Sequence, residues 1–251
     1  MSKPKEGNFM TLAIIDGDVL LYQAIWGIET LEEAKEKFDS IFKEVCESCF
    51  STDYVMAFGG PNNFREDLYV EYKKSPSRKK SKSNKPEWFD DLKSYAASLE
   101  GADLCEGCEA DDMVRVWANE AAKVAWPYIV VSIDKDLDCI PGKHYNNRKL
   151  EFYDIDEDYA DYFYWKQILM GDTVDNIPGI KGCGPVKADK ILNGLSDHKA
   201  RRAAVCKAYN EAYGEEGYEY LIANGRLIHI WRFLGDHFKI SKEKYNDAIA
   251  E

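Results

Sequence analysis

The chain has no long apolar run. Its most apolar early stretch, Leu12 to Tyr22, is interrupted by Asp16 and Asp18, which excludes both a signal-peptide core and a membrane span. Histidine is scarce: His144, His198, His229 and His237 are scattered and make no metal motif. Positive charge is in deficit, with 33 Lys and Arg against 45 Asp and Glu and a net charge of −12 over 251 residues. That deficit excludes a histone-like, generally basic nucleic-acid binder. It leaves open an enzyme whose metal-binding carboxylates keep its site acidic. The seven cysteines are odd in number and follow no secretory signal, so the expectation is a reducing compartment. The pairs Cys46/Cys49 and Cys105/Cys108 stand too far apart for a zinc ribbon, whose loop is about 15–20 residues; buried thiols are the better reading. No internal repeat or low-complexity linker breaks the chain, and its length suits one large domain or a domain with an appendage.

What is abundant is acid at particular places. Thr11 to Ile15 reads as a buried strand ending in Asp16-Gly17-Asp18 and followed by a helix. In open α/β sheets ligands bind at such strand ends, although Asp16 could also serve as a helix cap. Leu31 to Phe50 has helical spacing, and Tyr54 to Phe58 is a second short strand. Glu109, Asp111 and Asp112 open a further helix, more acids than capping needs. Tyr128 to Ile133 is the clearest buried strand, and Asp134 and Asp136 follow it; Leu150 to Tyr153 reads as an edge strand and Asp156 to Met170 as a helix. The C-terminal part is helical in pattern, with Leu221, Leu227, Ile228, Ile230, Trp231 and Leu234 expected to pack back on the core.

The stretch Gly171–Lys187 organises the second half. Asp172 and Asp175 precede a hairpin broken by Pro178, Gly179, Gly182, Gly184 and Pro185, and a helix with Lys187 in its first turn follows. Glycines let main-chain N–H groups approach a phosphate, and the helix N-terminus adds positive potential. Far upstream, Lys73 to Lys85 carries seven basic residues and no acidic one. Pro76 and the serines make it a flexible arm able to grip phosphates through Lys73, Arg78, Lys79, Lys80 and Lys82, with Tyr72 as a stacking surface for a base. The bland alternative is a solvated loop or a localisation signal. Carboxylates in such number repel one another unless divalent cations bind them, and all-oxygen ligation favours Mg²⁺ or Mn²⁺ over zinc. Two such ions about 3.5–4 Å apart could activate water and stabilise the leaving oxygen of a phosphodiester.

Together, Phe64-Arg65, Tyr72-Lys73, Arg78, Glu109–Asp112, Ser132–Asp136 and Gly171–Gly179 resemble, in order, the motifs of the structure-specific 5′-nucleases. That family includes flap endonucleases, phage 5′→3′ exonucleases and the 5′-nuclease domain of bacterial DNA polymerase I. The resemblance spans about residues 11–192 and is most like the stand-alone phage exonucleases. It implies an α/β fold, a PIN-like, mostly parallel central sheet with flanking helices and a helical arch. A C-terminal helix–three-turn–helix DNA clamp would follow and hold a K⁺ ion. The implied domains are a core at 1–165 containing a basic arch at about 72–100, and a DNA-binding region at 166–251. Asp16, Glu109, Asp111 and Asp112 would serve one metal and Asp134, Asp136, Asp172 and Asp175 the other, some through water. Lys73 and Arg78 would contact the scissile phosphate, and Arg65, Tyr72, Lys79, Lys80, Lys82, Gly182, Gly184 and Lys187 would contact DNA. The implied activity is hydrolysis of DNA near a 5′ end, flap or nick by a monomer, with a replication polymerase as a further expected partner and no membrane association.

There are two departures from the family pattern. Many relatives carry Asp where Gly59 stands, so one negative charge fewer is expected near the first metal. Lys73 and Arg78 are also two residues further apart than usual. A non-catalytic DNA-junction binder on the same scaffold is the competing reading, and a PIN-type ribonuclease a third.

Overall fold

A computed structural model describes residues 11–250; the side chains of 81–83 lie outside that description, and so do the N-terminal residues expected to form a polar tail. In chain order the elements are β1 (Leu12–Asp16), α1 (Gly17–Ala24), α2 (Leu31–Ser48), β2 (Asp53–Gly59), α3 (Phe64–Leu68), α4 (Pro76–Ser83), α5 (Phe89–Ala97), β3 (Ala102–Cys105), α6 (Ala110–Lys123) and β4 (Tyr128–Val131). Then come β5 (Gly142–Asn146), β6 (Glu151–Ile155), α7 (Glu157–Met170), α8 (Pro185–Leu192), α9 (His198–Tyr213), α10 (Gly217–Ile228) and α11 (Lys242–Ala250). The contacts divide them into two units that interleave along the chain: residues 11–63, 84–155 and 230–235 form the first, and 64–83, 156–229 and 236–250 the second.

The first unit is built on one sheet of order β3-β2-β1-β4-β5-β6, parallel throughout except for the antiparallel β5–β6 edge. The chain runs outward from β1 to β2 and β3, then returns to lay β4 on the other side of β1. The strand order therefore reverses between β1 and β4, the switch point at which open α/β sheets form a crevice. Alternation sets the two faces. Ala13 and Ile15 join Leu20, Phe38, Phe58, Leu92 and Val131 in one apolar layer. The other face is covered by α6, which lies against β1, β2 and β4 through buried Val114 and Ala118. The expected mostly parallel sheet with flanking helices is present. Strand β5 escaped the sequence reading because Gly-Lys-His-Tyr-Asn is too polar and short to read as a strand; pairing on both sides decides it.

The second unit is helical. Helix α9 packs against α7, α8, α10 and α11 around buried Trp165, Ile168, Tyr209 and Leu221. The Tyr209 hydroxyl satisfies its burial by donating to Ile168 O at 2.7 Å. Of the C-terminal apolar residues expected inside, Leu221, Leu227, Ile228, Ile230 and Trp231 are buried, but Leu234 is mostly exposed. It lies beside Gly235, whose positive φ of 74° marks a turn, and no regular element carries it inward. The arm expected to be flexible is helical over α4. Pro76 begins that helix, where it needs no N–H partner, and the Ser75 hydroxyl accepts from Arg78 N–H at 3.3 Å. Among the described residues no helix is long and apolar enough to cross a membrane.

Candidate functional site

In the first unit the carboxylates lie where the sheet topology puts a crevice. Asp16 ends β1 and Ser132 immediately follows β4. The Ser132 hydroxyl donates to Asp16 Oδ2 at 2.9 Å and accepts from Asp134 N–H at 2.9 Å, so one small side chain ties the two strand ends together. Asp16 also caps α1, accepting from Val19 N–H at 3.4 Å. The capping alternative and a ligand role are thus compatible. Burial pushes the Asp16 carboxyl up to about 7; the Asp18 and Asp134 charges raise it further, against the Ser132 and Val19 hydrogen bonds. Asp134 caps the next turn through Asp136 N–H at 3.0 Å.

At the start of α6 the acids divide by role. Glu109 accepts from Asn63 Nδ2 at 3.0 Å. Asp112 is fully buried and takes two main-chain donors, Glu109 N–H and Trp231 N–H, both at 3.0 Å. Asp112 was expected as a ligand beside Asp111; these two bonds give it a structural duty, fastening residues 230–235 to α6. Asp111 is partly exposed. Among the described residues no three His, Cys, Asp or Glu side chains are already gathered into a metal cage. The donors are nonetheless all hard oxygens, the chemistry a Mg²⁺-like cation takes.

Asp18, absent from the residues expected by sequence, lies against Gly59: a Cβ built there would be 2.9 Å from its Oδ2. Its Oδ2 accepts from Gly59 N–H at 2.9 Å and its Oδ1 pairs with Lys93 at 3.2 Å. Asn63, Lys93 and Ser132 were likewise missed. Spacing along one chain does not signal contacts between separate strands, and only the second acid in Asp16-Gly17-Asp18 offered a hint.

In the second unit the basic arm and the hairpin meet. Arg78 grips Asp175 Oδ1 through Nε at 2.8 Å and Nη2 at 2.6 Å, and Lys73 lies 3.6 Å from Asp175 Oδ2. Lys73 N–H also donates to Asp175 O at 2.8 Å. The longer Lys73–Arg78 spacing does not part the two cations, because the Ser75 cap folds Arg78 back onto the first turn of α4. A carboxylate resting on this pair shows that it can hold an anion. Asp172 caps the hairpin, accepting from Val174 N–H at 2.6 Å. Gly179 is packed on main chain: a Cβ there would lie 2.3 Å from Gly171 N. Its N–H is held by Asn224 Oδ1 at 3.1 Å and its carbonyl by the Tyr213 hydroxyl at 3.2 Å.

Two expected DNA contacts are corrected. Arg65 is 2% exposed and donates to Leu227 O at 2.9 Å and His229 O at 2.7 Å, which makes it an internal tie. Tyr72 is 4% exposed and has Lys73 Nζ 5.4 Å from its ring centre, so no base can stack on it there. Lys79, Lys80 and Lys187 are exposed; the Lys82 side chain lies outside the described residues. All seven cysteines are free. Cys105 and Cys108 hydrogen-bond to each other, which with burial pushes the Cys105 thiol far up, and burial pushes Cys49 up to about 12. These are inert buried thiols.

The model of the 5′–3′ exonuclease N-terminal resolvase-like domain matches residues 11–160. The chain belongs to this 5′–3′ exonuclease family. Among curated relatives, flap endonuclease Xni of Shewanella sp. strain W3-18-1 is 28% identical over 192 residues, which cover 71% of this chain and 72% of that protein. DNA polymerase I of Pseudomonas aeruginosa is 28% identical over 210 residues, 73% of this chain but only 22% of the polymerase. Among solved structures, the bacteriophage T5 D15 protein co-crystallised with metal ions shares the fold at TM-score 0.69 and 18% identity, covering 96% of this chain and 93% of that one. The D15 flap endonuclease has also been solved as a pseudo-enzyme–product complex with DNA and metal ions, at TM-score 0.67 and 18% identity, covering 96% and 92% of the two chains.

The hairpin of this exonuclease-family chain yields a separable prediction. Gly182 has φ +72°, where a side chain is strained, but Gly184 has an ordinary φ of −85° and nothing within 4 Å of an added Cβ. Gly184→Val is therefore expected to lower the melting temperature only slightly, through the poorer N-cap it gives α8, and to weaken duplex binding, with single-strand binding less affected. Unchanged duplex affinity in a titration would make the hairpin a structural turn only.

Proposed function

We propose that this chain, a member of a family of DNA-hydrolysing nucleases, is a divalent-metal-dependent 5′→3′ exonuclease / flap endonuclease, cutting DNA phosphodiesters near 5′ ends with two ions. The observation that carries this is the Asp16–Ser132–Asp134 junction at the β1–β4 switch point, where buried Asp16 is tied through Ser132 to Asp134 and burial with the neighbouring acid charges raises its proton affinity. Charge crowded in this way favours a bound cation. The donors available in the first unit are Asp16, Glu109, Asp111, Asp134 and Asp136; Asp172 and Asp175 are proposed as further ligands on the strength of their motif. Such ions, when bound, supply an activated water and neutralise charge on the phosphate. Lys73 and Arg78 would exchange Asp175 for the scissile phosphate and stabilise the charge that develops on it. Exposed Lys79, Lys80 and Lys187, with Lys82, would grip more distant phosphates. The hairpin main chain would bind the duplex backbone, with K⁺ as its proposed counter-ion.

The test is a labelled 5′-flap duplex incubated with Mg²⁺ or with EDTA. Cleavage near the junction in Mg²⁺ alone is expected. Tight flap binding with no cleavage in Mg²⁺ or Mn²⁺ would instead favour the non-catalytic junction binder.

The two kinds of cation should separate in the same assay. Lys73→Ala is expected to cost more turnover than binding. Lys79→Ala and Lys80→Ala should mainly weaken binding and flatten its salt dependence, by roughly one counter-ion per lost phosphate contact. Equal, salt-independent losses in all three variants would refute this division.

A further inference from the structure

We propose that Asp18 is a metal-binding residue of this site, presenting from α1 the carboxylate that β2 does not carry at Gly59. The inference rests on the reading of the site as a divalent-metal centre.

Three observations carry it. First, the place is already filled: a Cβ built on Gly59 would lie 2.9 Å from Asp18 Oδ2. A side chain at 59 would have to displace the Asp18 carboxylate, so the two positions compete for one space. Second, the carboxylate is aimed. Gly59 N–H holds Oδ2 at 2.9 Å, and Asp18 stands two residues from Asp16 in the same β1–α1 turn. Third, a cation already rests there. The Lys93 ammonium pairs with Asp18 Oδ1 at 3.2 Å and also donates to Gly59 O, spanning a carboxylate and a main-chain carbonyl. Those are hard oxygen donors of the kind a Mg²⁺-type ion takes. Asp18 is about one-third exposed at its side chain, so an ion has access to it.

The same contact decides what a carboxylate placed at position 59 by Gly59→Asp would do. Introduced alone, that carboxylate meets Asp18 and sets two like charges in contact. It should not improve metal binding unless position 18 is vacated.

The experiment titrates the full chain with Mn²⁺, read by the paramagnetic signal of the free ion, in the native protein, Asp18→Ser, Gly59→Asp and the double variant. Melting curves in EDTA accompany each titration. Asp18→Ser is expected to weaken the tightest Mn²⁺ site by roughly tenfold, and the double variant to recover it to within about threefold of native. Native Mn²⁺ affinity in Asp18→Ser would overturn the proposal, as would a double variant no tighter than that single one. If Asp18→Ser melts early, Asp18→Asn replaces it, since an amide oxygen still accepts from Gly59 N–H; native Mn²⁺ affinity there is equally fatal. Failure of the underlying reading looks different: the native protein itself would bind no Mn²⁺ and cut no flap.

Discussion

Asp16→Asn is expected to lose roughly a hundredfold or more in turnover, the scale of removing a group that acts on charge in the transition state, and yet to stabilise the metal-free protein at alkaline pH. The two effects share a cause. Asp16 is 4% exposed, and burial with the Asp18 and Asp134 charges lifts its carboxyl from 3.8 to about 7. A carboxyl with a raised folded-state pKa is better tolerated neutral than charged. Its contribution is fully present below about pH 4 and is lost as pH rises through 7. The loss reaches at most about 4 kcal/mol. Asparagine removes the charge and keeps one oxygen for Val19 N–H or the Ser132 hydroxyl. Melts in EDTA should therefore place Asp16→Asn above native by roughly 5 °C or more at pH 8, with the gap closing near pH 4.5. A gap independent of pH would show that Asp16 is not held against its charge, and near-native cleavage would remove it from the metal site.

Arg65→Ala should fail as a fold before it fails as a DNA binder. The guanidinium is enclosed and serves two main-chain carbonyls beyond the end of regular hydrogen bonding in α10, Leu227 O and His229 O. Truncation takes the guanidinium donors from both carbonyls and leaves a cavity where the side chain was. The expected loss is roughly 3–5 kcal/mol, which for a chain of this size is on the order of 10 °C in melting temperature. Arg65→Lys should recover only part, because a lysine cannot reach two carbonyls with a planar fork. Folded Arg65→Ala at low temperature should bind flap DNA with close to native affinity. A native melting temperature with weakened DNA binding would restore the interface role that the sequence suggested.

Arg65 and Tyr72 show where linear reading fails. Both sit in the aromatic stretch that leads into the basic Lys73–Lys85 arm, and composition does not report which side of the backbone meets the interior. Helix α3, over Phe64–Leu68, is little more than one turn long and Tyr72 follows it in a turn, so no periodicity separates inner from outer positions. Lys73 and Arg78, one and six residues past Tyr72, are the pair that stays partly open and holds an anion. Asp112 failed to announce itself for a related reason. Three acids at a helix start look alike in sequence, and only the arrival of Trp231 N–H from 119 residues away commits one of them to the interior.

The sequence by itself determined the parallel sheet and the strand ends that carry Asp16 and Asp134. Runs such as Leu12–Ile15 and Tyr128–Val131 have to be buried on both faces, and an acid closing such a run has to face the strand's open end. It also determined the helix starts at Asp156 and Pro185, and the glycine hairpin. Those are local choices, settled by the torsional and hydrogen-bonding needs of a few adjacent residues. The tertiary structure alone decided that β4 returns beside β1 and so brings Ser132 onto Asp16. It likewise decided that Asp18 fills the space Gly59 leaves, and that Arg65 turns inward. Each of these depends on which distant backbone groups need a partner and how much room is left, quantities that exist only once the strands and helices have packed.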